Sequence, residues 1–200
     1  MDATPLLLHA CCGPCSLEPV RLLREEGFVP TIFWSNPNIQ PVLEHERRLQ
    51  TLRTWAGSEG IEVKVGPDDR EAWERLVAPF GFDRERRCRA CYALRLRAAV
   101  EAARDAGFTA VSTTLAVSPY QLFDACMETL EALCAHAGLK AIVRDFRPNY
   151  PDATRRSREL GMYRQNYSGC RFSAAEAQIS RHEARDMRKR ERELARRKDS

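Results

Sequence analysis

No apolar run in this 200-residue chain approaches the ~20 residues that span a bilayer. The opening Met1-Asp2-Ala3-Thr4-Pro5 lacks the basic stretch and long apolar segment of a secretory leader, because Leu6-Leu7-Leu8 is broken at once by His9. No internal repeat is present. A hydrophobic content of 44% and a charged content of 30% exclude a collagen-like or wholly disordered polymer. A soluble, cytoplasmic protein without a membrane partner is expected, and 200 residues fit one domain with at most an appendage.

Charge of one sign is also missing from most of the chain. Lys and Arg number 32 against 28 Asp and Glu, a net +4. Residues 181–200 alone hold nine basic and five acidic side chains, so the whole excess lies at that end. Segment 180–200 is nearly devoid of large apolar residues and is expected to be a helical or disordered basic arm beside a catalytic domain of residues 1–179. Arg188-Lys189-Arg190 and Arg196-Arg197-Lys198 suit phosphate contact. Acidic residues three and four positions away equally suit a solvated helix with internal ion pairs.

The remainder alternates short apolar runs with amphipathic stretches. Strands are predicted at 5–10, 29–34, 61–65, 109–113 and 140–144, with helices at 16–26, 42–58, 68–77, 89–106 and 119–137 between them. Strands separated by helices argue for right-handed crossovers and a Rossmann-like α/β fold, a mainly parallel sheet flanked by helices. Ligands gather at the carboxyl ends of such strands. Segments 11–15, 35–41 and 114–118, together with Asp145, are therefore expected to share one crevice.

Eight cysteines without an export signal do not suggest a disulfide framework. Cys11-Cys12-Gly13-Pro14-Cys15 and Cys88-Arg89-Ala90-Cys91 are two local clusters far apart in sequence, the usual way to bring several thiolates to one metal centre. A single cysteine would read as a small buried side chain; these clusters do not. Ligand count leaves zinc and iron–sulfur both open. Cys12 and Cys15 also have the spacing of a thioredoxin-type exchange pair, although the strand and helix that precede such a motif are missing. Cys126 and Cys134, eight apart beside Leu122, Leu130 and Leu133, read as core packing.

Six segments occur together in order: Leu7-Leu8-His9-Ala10-Cys11-Cys12-Gly13-Pro14-Cys15, Asn36-Pro37-Asn38-Ile39-Gln40-Pro41, Arg87-Cys88-Arg89-Ala90-Cys91-Tyr92, Thr113-Thr114-Leu115 with Ser118-Pro119-Tyr120, Asp145-Phe146-Arg147, and Tyr163-Arg164-Gln165-Asn166-Tyr167-Ser168-Gly169-Cys170. On these the chain resembles the QueH-type epoxyqueuosine reductases over about residues 5–175. The resemblance implies a two-electron reduction of epoxyqueuosine to queuosine at the wobble position of tRNA, fed by an external electron donor. It implies a [4Fe–4S] cluster on Cys11, Cys12, Cys88 and Cys91, with an additional iron beside Cys15 and Asp145. Candidate catalytic residues are Asp145, Tyr120, His9 and Cys170, with Tyr92 and Tyr163 as further proton donors. The family's last motif is Cys-Gly-Cys, read as a redox disulfide, whereas here Ser168 stands first. That departure keeps a zinc-stabilised, non-redox tRNA-binding module as the alternative.

Overall fold

The computed structural model describes residues 4–198, with only the helical backbone for 192–198. In chain order the elements are β1 (Thr4–His9), α1 (Gly13–Glu25), β2 (Phe28–Trp34), α2 (Val42–Ser58), β3 (Val63–Val65), α3 (Arg70–Leu76), α4 (Arg84–Asp105), β4 (Ala110–Thr113), α5 (Phe123–Ala137), β5 (Lys140–Ala141), α6 (Tyr150–Glu159) and α7 (Arg171–Lys198). The sheet order is β3-β2-β1-β4-β5 and every pairing is parallel. None of the helices described is long and apolar enough to cross a membrane.

β1 explains why the sheet forms as it does. Leu6, Leu7 and Leu8 are all fully buried, the continuous apolar run of a parallel strand covered on both faces. Burying each such side chain contributes about 1.5–3 kcal/mol. From β1 the chain moves to β2 on one side and later returns to β4 on the other. The reversal of strand order leaves an open crevice at the carboxyl ends of β1 and β4.

Helix boundaries around that crevice differ from the expected ones. Helix α1 starts at Gly13, three residues early: Pro14 sits in its first turn, where a missing N–H costs nothing, and the Cys12 sulfur caps it by accepting the Cys15 N–H at 3.3 Å. Cys15 is thus on the helix rather than in a loop. Helix α4 starts at Arg84 because Asp83 caps it through the Arg86 N–H, so Cys88 and Cys91 share one helical face at i, i+3. Helix α5 starts only at Phe123. The preceding 118–122 loop is held by the Tyr92 hydroxyl, which donates to Gln121 Oε1 at 2.9 Å and accepts the Leu122 N–H at 3.0 Å.

Two helices shape the far side of the crevice. α6 had no sequence forecast; it packs on α1, where Arg156 reaches the buried Glu18 carboxylate at 2.6 Å. α7 runs unbroken through the expected domain boundary at residue 180. Its first turn is anchored by Phe172 against Trp73 and Phe82, at ring-centroid separations of 6.3 and 5.3 Å, and by Glu176 on the buried Arg87 at 2.8 Å. The Arg196–Lys198 part of the basic stretch lies beyond the residues whose side chains are described.

Candidate metal centre and substrate cavity

Three sulfurs meet at the end of β1. The Sγ atoms of Cys11, Cys12 and Cys15 all lie within 4.8 Å of one another, with Cys11 and Cys12 at 4.0 Å. Thr114, at the end of β4, accepts the Cys11 N–H at 3.1 Å and donates its hydroxyl to Cys11 Sγ at 3.4 Å. The topological switch point thus becomes a sulfur site. Gln165, from the α6–α7 loop, donates its amide N–H to Cys12 Sγ at 2.8 Å and to Cys15 Sγ at 3.8 Å.

The electrostatics separate the three. Hydrogen bonds from the neighbouring thiols hold Cys11 well below the ordinary thiol range. Burial drives Cys12 far above it, and the sulfur neighbours drive Cys15 the same way. Cys11 is thus the sulfur set up to ionise first, in a group whose three sulfurs all accept hydrogen bonds or contacts. A soft cation at the same point would let all three ionise, because thiolates are the preferred ligands of thiophilic metals and iron–sulfur clusters. The donor set fits such a group.

A cavity of about 740 Å³ extends from this point. Cys11, Cys15, Cys88, Cys91 and Cys170 line it, while Cys12 lies behind the wall. Burial, then the nearby Cys91 charge, pushes the Cys88 thiol up to about 11, and burial raises Cys91. Arg95, one helical turn past Cys91, is buried among these sulfurs. It donates to Asn36 Oδ1, which in turn donates through Nδ2 to the Ala10 carbonyl at 2.9 Å. Arg95 Nε has no partner and no carboxylate pairs with Arg95 among the described residues.

The expected crevice forms from three of its four segments: Cys11 and Cys15, Asn38, and Leu115, Val117 and Ser118 all contribute to the cavity wall. Asp145 does not join them. Strand β5 ends at Ala141, so the chain has left the sheet before Asp145, whose carboxylate takes Arg147 Nε at 2.8 Å and its terminal nitrogen at 2.7 Å. That pairing holds the Asp145 carboxyl below its ordinary range. His9 is also off the wall: it is fully buried, with Nδ1 on Thr113 Oγ1 at 2.9 Å, and burial together with Arg95 pushes its pKa down to about 3. It is a neutral packed imidazole through the physiological range.

Tyr120, Tyr92 and Cys170 do reach the cavity. Tyr120 is 66% exposed at its mouth, edge-on to Tyr150 at 6.1 Å. Tyr163 is not on the wall; its hydroxyl donates to Glu44 Oε2 at 2.6 Å and its ring carries Arg47 at 3.8 Å. Three arginines on the cavity wall, Arg84, Arg164 and Arg181, form no ion pair among the described residues. Trp73 and the first turns of α7 are not singled out by the sequence, and Arg95 stands there only as one of the arginines that flank the Cys88 pair. Nothing in their local pattern distinguishes them from the other arginines and core aromatics.

A family model described as epoxyqueuosine reductase QueH matches residues 6–176. Relatives named epoxyqueuosine reductase QueH include one from Dehalococcoides mccartyi, 32% identical over 174 residues that cover 87% of this chain and 94% of the relative. Another, from Thermotoga maritima, is 32% identical over 188 residues, 88% and 96% of the two chains. Among solved structures, the U34-tRNA thiolase NcsA from Methanococcus maripaludis with its [4Fe–4S] cluster superposes with a TM-score of 0.56, at 13% identity, over 93% of this chain and 68% of its own. A predicted subunit of a tRNA methyltransferase from Methanocaldococcus jannaschii gives 0.53 over 78% and 75%, also at 13% identity. These two share the fold.

Proposed function

The chain belongs to the epoxyqueuosine reductase QueH family, oxidoreductases of tRNA modification, and from that premise we propose that it reduces epoxyqueuosine in tRNA to queuosine in the cavity at the ends of β1 and β4. The observation that carries the reading is the convergence of Cys11, Cys12 and Cys15 on a cavity that Cys88 and Cys91 also line. Cys11, Cys12, Cys88 and Cys91 would hold the [4Fe–4S] cluster, and Cys15 the additional iron. The reaction consumes two electrons and two protons: both epoxide C–O bonds break, the carbon–carbon double bond forms and the oxygen leaves as water. When bound, the cluster supplies single electrons and Lewis acidity.

The chain's own residues do the rest. Gln165 and Thr114 orient the sulfurs by donating to them. The thiol of Cys170 and the hydroxyl of Tyr120 are the proton carriers on the cavity wall. Arg84, Arg164 and Arg181, left without carboxylates, meet the phosphates of the tRNA, and Tyr120 and Tyr150 offer faces for unpaired bases. Double reversal to Arg164→Glu and Arg181→Glu is expected to raise KM for the tRNA and flatten its logarithmic salt dependence by about one unit per lost phosphate contact, with kcat retained. An unchanged slope would remove both arginines from the interface.

Iron, acid-labile sulfide and the dithionite-bleachable spectrum of anaerobically purified protein, measured beside conversion of epoxyqueuosine tRNA, test the whole reading. Zinc without sulfide would select the non-redox tRNA-binding module instead. Ser168 is the observation that favours that second reading, since a hydroxyl cannot complete a disulfide with Cys170. Both side chains line the cavity, joined by Gly169 at φ 127°. Under the reductase reading this chain works without the disulfide, so Ser168→Cys is expected to leave turnover unchanged. A marked gain would show that the vicinal pair carries electrons.

A further inference from the structure

Three polar side chains, Asn36, Asn38 and Gln40, stand in the loop between β2 and α2, and two of them are fully engaged. Asn36 bridges the Ala10 carbonyl and Arg95. Gln40 donates its side-chain amide to Glu74 at 3.1 Å, while its backbone N–H goes to the Gly169 carbonyl at 2.9 Å and its own carbonyl accepts the Tyr167 hydroxyl. Asn38 is different. It is 3% exposed, it lines the cavity, and its Oδ1 has no hydrogen-bond partner among the described residues.

The loop holds it there firmly. Ile39 is buried in the core, its N–H bonds to the Asn36 carbonyl at 3.1 Å, and its carbonyl accepts Arg70 at 3.1 Å. Gly169 passes so close that a Cβ there would sit 2.8 Å from Asn38 Nδ2 and 3.0 Å from Ile39 Cγ1. The positive φ of Gly169 and this contact both require glycine, and together they brace the Asn38 amide from behind. A buried acceptor without a donor is costly, and such groups persist where a ligand completes them.

We infer that Asn38 is a specificity-determining residue whose Oδ1 accepts a hydrogen bond from the pairing edge of the modified base; this rests on the epoxyqueuosine reductase reading. Epoxyqueuosine is a deazaguanine, and the pairing edge of a guanine-type ring carries a ring N–H and an amino group, both donors. An adenine-type ring presents an acceptor at the ring position and its amino donor on the opposite side of it, so it cannot offer Asn38 Oδ1 the adjacent pair of donors. A second buried acceptor on the same wall supports this polarity. Gln165 directs its amide nitrogen at Cys12 and Cys15, and its Oε1 is likewise buried without a partner among the described residues. Asn38 reads the ring while Gln165 sits at the reacting end.

The test uses iron-loaded protein with an anticodon stem–loop carrying epoxyqueuosine, and the same stem–loop with 2′-deoxyribose at that nucleotide. Asn38→Leu keeps the shape and removes the polarity. KM is expected to rise about tenfold on both substrates, the loss of one desolvated neutral hydrogen bond, with kcat and the cluster absorbance unchanged. The metal-free variant is expected to melt no lower than the parent, because an unpaired buried oxygen has gone; a merely structural asparagine would melt lower and leave KM alone. Asn38→Ala gives the same KM test if the leucine variant does not fold. An unchanged KM overturns the inference, and a penalty that vanishes on the deoxy substrate overturns it by assigning the donor to the ribose. A parent protein that neither binds nor reduces the stem–loop removes the reductase reading itself, and the inference with it.

Discussion

Cys12→Ser is expected to purify without iron or labile sulfide, without visible absorbance, and with turnover of epoxyqueuosine tRNA below detection. The substitution isolates the sulfur. Cys12 caps α1 through its side chain, and serine is among the best residues for that position, so the helix keeps its cap. Cys12→Ala would lose about 1 kcal/mol of capping as well, and its failure would be ambiguous. Serine does not replace a thiolate towards a thiophilic metal, and Cys15, the remaining sulfur beside Cys11, is the one proposed for the additional iron. Cys91→Ala should give the same colourless protein from the opposite wall. Cys134→Ala is the contrast: Cys134 is buried on α5, burial pushes its thiol up to about 11, and it does not line the cavity. That variant should retain iron and turnover at a modest cost in stability. Full iron content in Cys12→Ser would exclude Cys12 as a ligand.

Much of this arrangement was legible before any coordinates. The Leu6–Leu8 run marked a strand, the alternation of strands and helices marked the parallel sheet, and the 42–58 helix was bounded at the observed residues. The cysteine spacing drew attention to Cys11, Cys12 and Cys15, whose sulfurs converge. What failed did so for identifiable reasons. The helix is expected only from residue 16, although proline in a first turn also starts helices, and the cap is a sulfur rather than the usual oxygen. Asp145 was placed by a rule about strand ends, but β5 is two residues long and the chain has turned away before reaching it. The polar, proline-containing stretch of α6 gave no periodic signal, since its buried face consists of Ala153 and Ser157. The change in composition near residue 180 is real, but helix α7 crosses it, and Ser180 and Arg181 belong to the cavity wall.

Arg95 was one arginine among several beside the Cys88 pair, and only tertiary structure separates it from them. It is 4% exposed with a carboxamide for a partner and no carboxylate among the described residues. A buried guanidinium without a counter-charge is strongly unfavourable unless nearby groups are negative. The groups present are sulfurs: the Arg95 charge adds to the lowering of Cys11, opposes the burial that keeps Cys91 and Cys126 raised, and adds to the burial that depresses His9. Arg95 and a Cys11 thiolate therefore stabilise each other, and under the reductase reading a bound cluster would add negative charge beside Arg95. Two opposite results are expected of Arg95→Met. The metal-free protein should melt higher, because a buried cation held only by Asn36 and the single lowered thiol of Cys11 is gone. The loaded protein should lose iron faster and show a reduction potential more negative by on the order of 100 mV, since removing a nearby positive charge disfavours the added electron. Turnover should fall with the potential. Arg95→Lys should recover part of the potential, because the charge returns, but not the Asn36 bridge to Ala10. Stability and potential that both stay at the parent values would show that the sulfurs carry no charge in need of Arg95.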